Sequence, residues 1–335
     1  MAQGGGNRWS LPHSVLVARV SVSCPFKRAD YNGAAVAREP ALPIMRQVTV
    51  RVPASTSNLG PGFDCLGVAL RIYNEVTISR GRGEHPVAMV RQAAAAFFDR
   101  ASTKPFAFSC SIAGNIPQSR GLGSSAAIRL GVLDGLNELA ERPLQRRELF
   151  EIGAELEGHP DNAAPACYGG FNVVRGLEHQ MFTVGAQLHF ILLIPHFEVA
   201  TAKARALLPA RIDRLQAVEN SRNACAITAA FASREYAALR GAFADNLHQP
   251  FRKKLIPFLD DVINAAESAG ALGAFLSGSG STICAVSLRA PEKIAAAMLA
   301  AANSPGARTL ITAADNRGAR ILSNRNSTIE NRKLQ

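Results

Sequence analysis

Residues Pro117 to Ala127 read PQSRGLGSSAA and run directly into SSAAIRLGVLDGLNELA, residues 124–140. Ala, Leu and Ile recur there at helical spacing, so the segment predicts a helix entered from a glycine loop. Gly121 and Gly123 permit backbone angles that a Cβ forbids. Such a loop points free N–H groups and the positive end of a helix dipole at an anion. Hydroxyls at the helix start add donors, or a ligand for the Mg2+ that accompanies ATP. The loop is not a Walker A sequence, because the lysine of GxxxxGK[ST] is missing, and it is not a GxGxxG dinucleotide fingerprint. A plain glycine turn with serine caps would look the same in isolation, so the neighbouring segments have to decide.

Upstream, PASTSNLGPGFDCLG (Pro53 to Gly67) follows the alternating run VTVRV. Its Ser, Thr, Asn, Gly and Asp64 read as a loop with backbone close to a ligand, or as an ordinary polar loop. Downstream, RRELFEIGAELEG predicts a helix stopped by Gly158. EGHPDNAAPACYGGF (Glu157 to Phe171) follows, where Pro160 stiffens a turn carrying His159 and Asp161. Glu151 and Glu155 share a helix face at i, i+4, where like charges repel, a strain that a cation between them would relieve. Solvated surface glutamates are the plainer account of such a pair. Late in the chain LSGSGST (Leu276 to Thr282) places Gly278 and Gly280 between two apolar strands.

The whole chain, 335 residues with 47% hydrophobic and 19% charged side chains, suits a globular protein of one large or two ordinary domains. No apolar run approaches the ~18–20 residues that span a bilayer; Leu188 to Pro195 reads as a buried strand. The formal charge of +11 is spread without aromatic interleaving, which argues against a nucleic-acid partner. Cys24, Cys65, Cys110, Cys167, Cys225 and Cys284 form no CxxC pair, so reduced thiols in a cytoplasmic protein are expected. Strands and helices interleave without a regular βαβ repeat, which predicts an α+β class in two domains. Residues 1–44 carry five basic residues (Arg8, Arg19, Lys27, Arg28, Arg38) against Asp30 and Glu39. They read as a transit peptide or, preferably, as a poorly ordered extension before a fresh start at Met45. The expected divisions are 45–170, 171–320 and a fraying polar tail, 321–335.

Each motif is ambiguous alone. Their order (PASTSNLGPGFD, PxxxGLGSSAA, HPDNxAP, LSGSGST) resembles that of the GHMP kinases over roughly Met45 to Asn316. HPDN, ATAKARALLP (200–209) and NLHQPFRKKLIP (246–257) resemble the branch that phosphorylates homoserine. The resemblance implies a two-domain GHMP kinase fold with the active site in the interdomain cleft. It implies transfer of the ATP γ-phosphate to the hydroxyl of L-homoserine, with no nucleic acid or membrane partner, and it leaves a homodimer open. By resemblance, Pro117, Gln118, Ser119, Arg120, Gly121, Leu122, Gly123, Ser124, Ser125, Ala126, Ala127, Gly278 and Gly280 would bind ATP. Ser125 and Glu151, ten residues before Asp161, would hold Mg2+. Asn58, Asp64 and His159 would surround the amino acid, Arg205 and Arg252 would take its carboxylate, and Asp161 and Thr201 would act at the transferring phosphoryl group. Ser281, Asn246 and Ala163 stand where proline, a basic residue and valine are usual, which touches loop shape and removes no ligand. A GHMP kinase for mevalonate or a sugar would keep the phosphate loop without needing the arginine pair. A non-catalytic relative would be expected to lose Glu151, Asp161 or the GLGSS loop.

Overall fold

The computed structural model describes residues 45–81 and 87–326; the expectations for residues 1–44 and 327–335 lie outside the described residues. In chain order the first elements are β1 (Met45–Asn58), β2 (Gly62–Arg80), α1 (Ala88–Arg100), β3 (Phe108–Gly114), α2 (Ser124–Leu139), α3 (Arg146–Glu157) and α4 (Ala163–Tyr168). Next come β4 (Phe171–Arg175), β5 (Glu178–Phe182), β6 (His189–Ile194), α5 (Thr201–Ala206), α6 (Arg214–Ser233), α7 (Gln249–Arg252) and α8 (Leu259–Ser268). The chain closes with β7 (Gly273–Leu276), β8 (Ile283–Ser287), α9 (Pro291–Ala302), β9 (Arg308–Ala313) and β10 (Arg320–Asn326).

Two antiparallel sheets organise these elements. The first runs β10-β1-β2-β4-β5, with β3 also on β2; the second runs β7-β8-β6-β9. The alternating valines of β1 put Val48, Val50 and Val52 in the core, opposite Val76 and Ile78 of β2. Helix α2 lies on that face, and its glycines set the distance. A Cβ at Gly131 would meet Val76 at 2.5 Å, and one at Gly135 would meet Ile78 at 2.6 Å. In the second sheet Ile191, Leu193, Ile283 and Ala285 pack under Val262 of α8 and Met298 of α9.

Three expectations are corrected. Residues 53–67 are no open loop. They are the paired ends of β1 and β2, with Ser57 opposite Gly67 and Asn58 opposite Gly62 across a turn at residues 59–61. Polarity concealed this hairpin: Ser55, Thr56, Ser57 and Asn58 are buried because they bond across to other site segments rather than to water. The expected boundary at 170 falls inside the first sheet, since β4 pairs with β2 through Val68 and Phe171. The tail beginning at 321 starts as a strand, because β10 pairs with β1 (Ile321 with Val50), supplying the neighbour that strand needs.

Candidate active site

Three backbone segments distant in sequence are fastened to one another at one end of a cleft. Ser55 N donates to Leu122 O (3.2 Å), Gly278 N to Ser57 O (3.2 Å) and Thr282 N to Arg120 O (3.2 Å). Ser277 Oγ donates to Gly121 O at 2.6 Å. The glycines are required by this proximity. A Cβ at Gly121 would sit 2.0 Å from Ser277 O, and one at Gly123 would sit 2.0 Å from Ser55 Oγ.

Helix α2 begins at this junction. Its N-cap, Gly123, is left-handed (φ 64°), and no side chain caps the first turn, so the leading N–H groups remain for another acceptor. Ser124 Oγ is buried, has no partner and belongs to the cleft lining. An orphaned hydroxyl beside an uncapped helix start fits a phosphate. One residue on, Ser125 Oγ donates to Glu157 Oε2 at 2.8 Å, while Arg129 on the next turn pairs with Glu157 Oε1. A hydroxyl and a carboxylate at the edge of a phosphate nest fit a divalent cation shared with the phosphates. Among the described residues no group of three or more His, Cys, Asp and Glu could hold a metal unaided.

Glu151, the expected metal ligand, lies elsewhere. Its carboxylate pairs with Arg147 (3.0 Å) and Arg100 (3.5 Å), and it does not line the cleft. Six residues of helix separate it from Glu157, a rotation of about 240° at 3.6 residues per turn, so the two face different sides of α3. The ten-residue spacing to Asp161 therefore misdirected the choice.

The middle of the cleft holds Asp161, 2% exposed. Its Oδ1 lies 3.1 Å from His159 Nδ1 and 3.4 Å from Asn162 Nδ2. The bond to Asp161 raises the His159 pKa above its ordinary value, against the opposing effect of burial. Asn162 also donates to Ser57 Oγ (3.0 Å) and accepts from Ser55 Oγ (2.8 Å), which fixes the turn against β1. Thr201, also on the lining, opens α5, with its hydroxyl 3.3 Å from Ser279 Oγ.

Asp64 and Arg205, also on the cleft lining, form a two-pronged ion pair, with contacts of 2.6 and 2.9 Å. Arg252 is 2% exposed. It donates to Gly278 O at 2.9 Å and faces Ala204 O at 3.5 Å, and among the described residues it forms no ion pair. Burial first, and the Arg205 charge second, push its pKa down to about 10. Both guanidinium groups lie over the ring of Phe63, at 5.3 Å for Arg205 and 5.1 Å for Arg252. Asn58 is occupied structurally, donating to Gly278 O (3.0 Å) and accepting from Asp64 N (3.1 Å).

Of the residues anticipated from sequence, Asn58, Asp64, Gln118, Ser119, Arg120, Gly121, Leu122, Gly123, Ser124, Ser125, His159, Asp161, Thr201, Arg205, Arg252 and Gly278 line one cleft. Pro117, Ala126, Ala127 and Gly280 do not. Arg120 lines it yet turns its guanidinium to Pro195 O (3.0 Å) and Glu198 (3.1 Å). Sequence reasoning missed Glu157, Asn162, Ser57, Ser279 and Phe63 as lining residues. Asn162 and Phe63 stand inside the motifs quoted above, so a signal for them existed; for Glu157 the signal was its adjacency to Gly158.

Residues 88–170 match the family described as GHMP kinases N terminal domain, and residues 228–304 match GHMP kinases C terminal. The homoserine kinase of Halothermothrix orenii is 36% identical over 294 residues, covering 81% of this chain and 94% of that one. The homoserine kinase of Clostridium acetobutylicum is 35% identical over 297 residues, covering 82% and 100%. The crystal structure of homoserine kinase from Cytophaga hutchinsonii superposes with a TM-score of 0.77 at 28% identity, covering 85% of this chain and all of that one. Methanococcus jannaschii mevalonate kinase, at 17% identity and a TM-score of 0.62 over 81% of this chain and 99% of its own, shares the fold. The chain belongs to the GHMP kinase family, on the branch of the homoserine kinases.

Proposed function

We propose that this protein transfers the γ-phosphate of ATP to the side-chain hydroxyl of L-homoserine, giving O-phospho-L-homoserine, the step that commits the amino acid toward threonine. The observation that carries the reading is the convergence of Arg205 and Arg252 on one phenyl ring in the cleft that the uncapped helix also lines. Distant in sequence, the two forks meet where a carboxylate of an acceptor would lie, and Asp64 offers the opposite charge beside them. An amino acid brings both complements: its ammonium replaces Arg205 at Asp64, and its carboxylate takes the guanidinium so released together with Arg252.

The chain's residues then align rather than react, as phosphoryl transfer requires. The GLGSS loop receives the phosphates on its N–H groups and on the Ser124 hydroxyl. Ser125 and Glu157 would hold Mg2+, which supplies neutralising charge at the phosphate oxygens when bound. Both donors on Asp161 bond to Oδ1, leaving Oδ2 to accept the substrate O–H and point its oxygen at the γ-phosphorus. In that position Asp161 orients and polarises the hydroxyl, since alignment is what the transfer asks of the chain. Thr201, on the same cleft lining, donates to the moving phosphoryl group.

A cytoplasmic setting belongs to the same reading. It is supported by the free thiols Cys65, Cys110, Cys167, Cys225 and Cys284, and by the lack of a helix among the described residues long and apolar enough to cross a membrane. The test is ADP release with Mg-ATP and L-homoserine, mevalonate or galactose. Homoserine should stimulate release far above the others; equal turnover on mevalonate, or none on any alcohol, would sink the assignment.

A further inference from the structure

Arg252 raises a question that the acceptor site does not answer: what holds a fully buried guanidinium in place without cancelling its charge. His248, one helical turn earlier, is fully buried. Its Nε2 lies 2.9 Å from the carbonyl of Gly60, in the turn between β1 and β2, and 3.4 Å from Asp245 Oδ2. Its Nδ1 lies 3.4 Å from Arg252 Nη1. The ring stands against Phe63, 5.4 Å between centroids.

These contacts fix the proton. A carbonyl only accepts, so Nε2 carries the hydrogen; a guanidinium only donates, so Nδ1 presents its lone pair. A second proton on Nδ1 would point an N–H at an N–H and set two cations side by side. The Asp245 carboxylate, 3.4 Å from Nε2, pulls the other way, toward protonation. Its oxygens are taken by Leu247 N (2.8 Å), His248 N (3.0 Å) and Gln249 N (2.7 Å), which start the short helix carrying both residues. Burial is the larger effect, prevails over that charge and lowers the His248 pKa to about 4.

We propose that His248 is a positioning residue whose neutral imidazole aims Arg252 at the acceptor carboxylate while leaving the guanidinium charge uncompensated. A carboxylate at this position would hold Arg252 equally well and would also neutralise it, closing the site to an anionic substrate. Backbone carbonyls and an imidazole lone pair direct the fork without that competition. The inference rests on Arg252 reading the substrate carboxylate, and it deepens that assignment.

Two substitutions divide the functions of the ring. Asn places its amide oxygen where Nδ1 stands, keeping an acceptor for Arg252 and giving up the Gly60 bond. Gln places its amide nitrogen near Nε2, keeping the Gly60 bond and giving up the acceptor. H248Q should raise KM for L-homoserine about tenfold, the equivalent of ~1.4 kcal/mol, with kcat and the use of 3-aminopropanol, which lacks the carboxylate, little changed. H248N should recover most of the homoserine affinity. Equal losses for both variants, or losses shared by both substrates, would assign the ring to packing alone and overturn the proposal. In the wild-type enzyme, 15N shifts must report an Nε2–H tautomer that stays neutral at pH 6; an imidazolium or an Nδ1–H tautomer there overturns it without any variant. Arg252→Met separates the two levels. If that variant keeps homoserine use, the carboxylate assignment itself fails; if it is severely impaired while H248Q is not, only the role of His248 fails.

Discussion

Replacing Arg252 by methionine should move stability and activity in different ways. Arg252 is 2% exposed and makes no ion pair among the described residues, and burial first, with the Arg205 charge second, brings its pKa from 12.5 to about 10. At ~1.36 kcal/mol per pK unit, holding the charge there costs on the order of 3 kcal/mol. An incoming carboxylate cancels most of that cost, and truncating one partner of such a pair typically loses ~2–5 kcal/mol. A loss near 3 kcal/mol is roughly a 100-fold fall in kcat/KM for L-homoserine. For 3-aminopropanol the fall should stay below about threefold, since no carboxylate is there to lose its partner. Folding stability should hardly suffer. Methionine fills the space and removes a buried charge, which offsets the bonds lost to Gly278 O and Ala204 O, ~1 kcal/mol each, and Gly278 O still accepts from Asn58 Nδ2. The assays are coupled ADP release on both alcohols and thermal unfolding of the free enzyme. A large drop in melting temperature with equal losses on both substrates would refute the reasoning, because Arg252 would then be a structural cross-link.

Three further outcomes follow from the geometry. Glu157→Gln should raise the Mg2+ concentration needed for half-maximal activity at least about tenfold, whereas Glu151→Gln should lose only surface ion pairs, worth ~1 kcal/mol or less; the reverse ranking in a Mg2+ titration would restore Glu151. Gly121→Ala drives a Cβ to 2.0 Å from Ser277 O at a left-handed backbone position, so nucleotide affinity measured by calorimetry should fall while the secondary structure persists; unchanged affinity would show that the loop tolerates the shift. The pKa of His159 is raised by its bond to Asp161, so that pair stabilises the fold fully below the ordinary histidine value of 6.5 and loses the contribution as pH rises through the higher folded value; His159→Gln should flatten this segment of the melting-temperature profile, and an unaltered profile would count against the bond.

Where the chemistry was local, the sequence was readable. The loop before α2, the αL stop at Gly158 and the HPDN turn each follow from a few adjacent residues, and each lies where its pattern put it. The β1–β2 hairpin was hidden because period-2 reading expects apolar residues on the buried face, and here serines, a threonine and an asparagine are buried against partners far along the chain. Glu151 was chosen over Glu157 by counting residues to Asp161, when the phase of the helix decides which carboxylate meets Ser125. Strand β10 looked like a tail because its pairing partner, β1, lies more than 250 residues earlier. Phe63 gave no sign in the sequence that it would carry two guanidinium groups, since only the fold brings Arg205 and Arg252 to it.

The backbone knot of residues 55–57, 120–122 and 277–282 divides the two halves of the site unequally. At that end the segments share main-chain bonds that survive any change of side chain, so the grip on a nucleotide is written into the chain path. Acceptor specificity hangs instead on a few charged tips: Asp64, Arg205 and Arg252 around one ring. A chain constructed this way can exchange its acceptor alcohol by altering those tips and leave the nucleotide half untouched. Retooling for a new substrate is then a matter of a few codons at those tips, with the knotted main chain inherited unchanged.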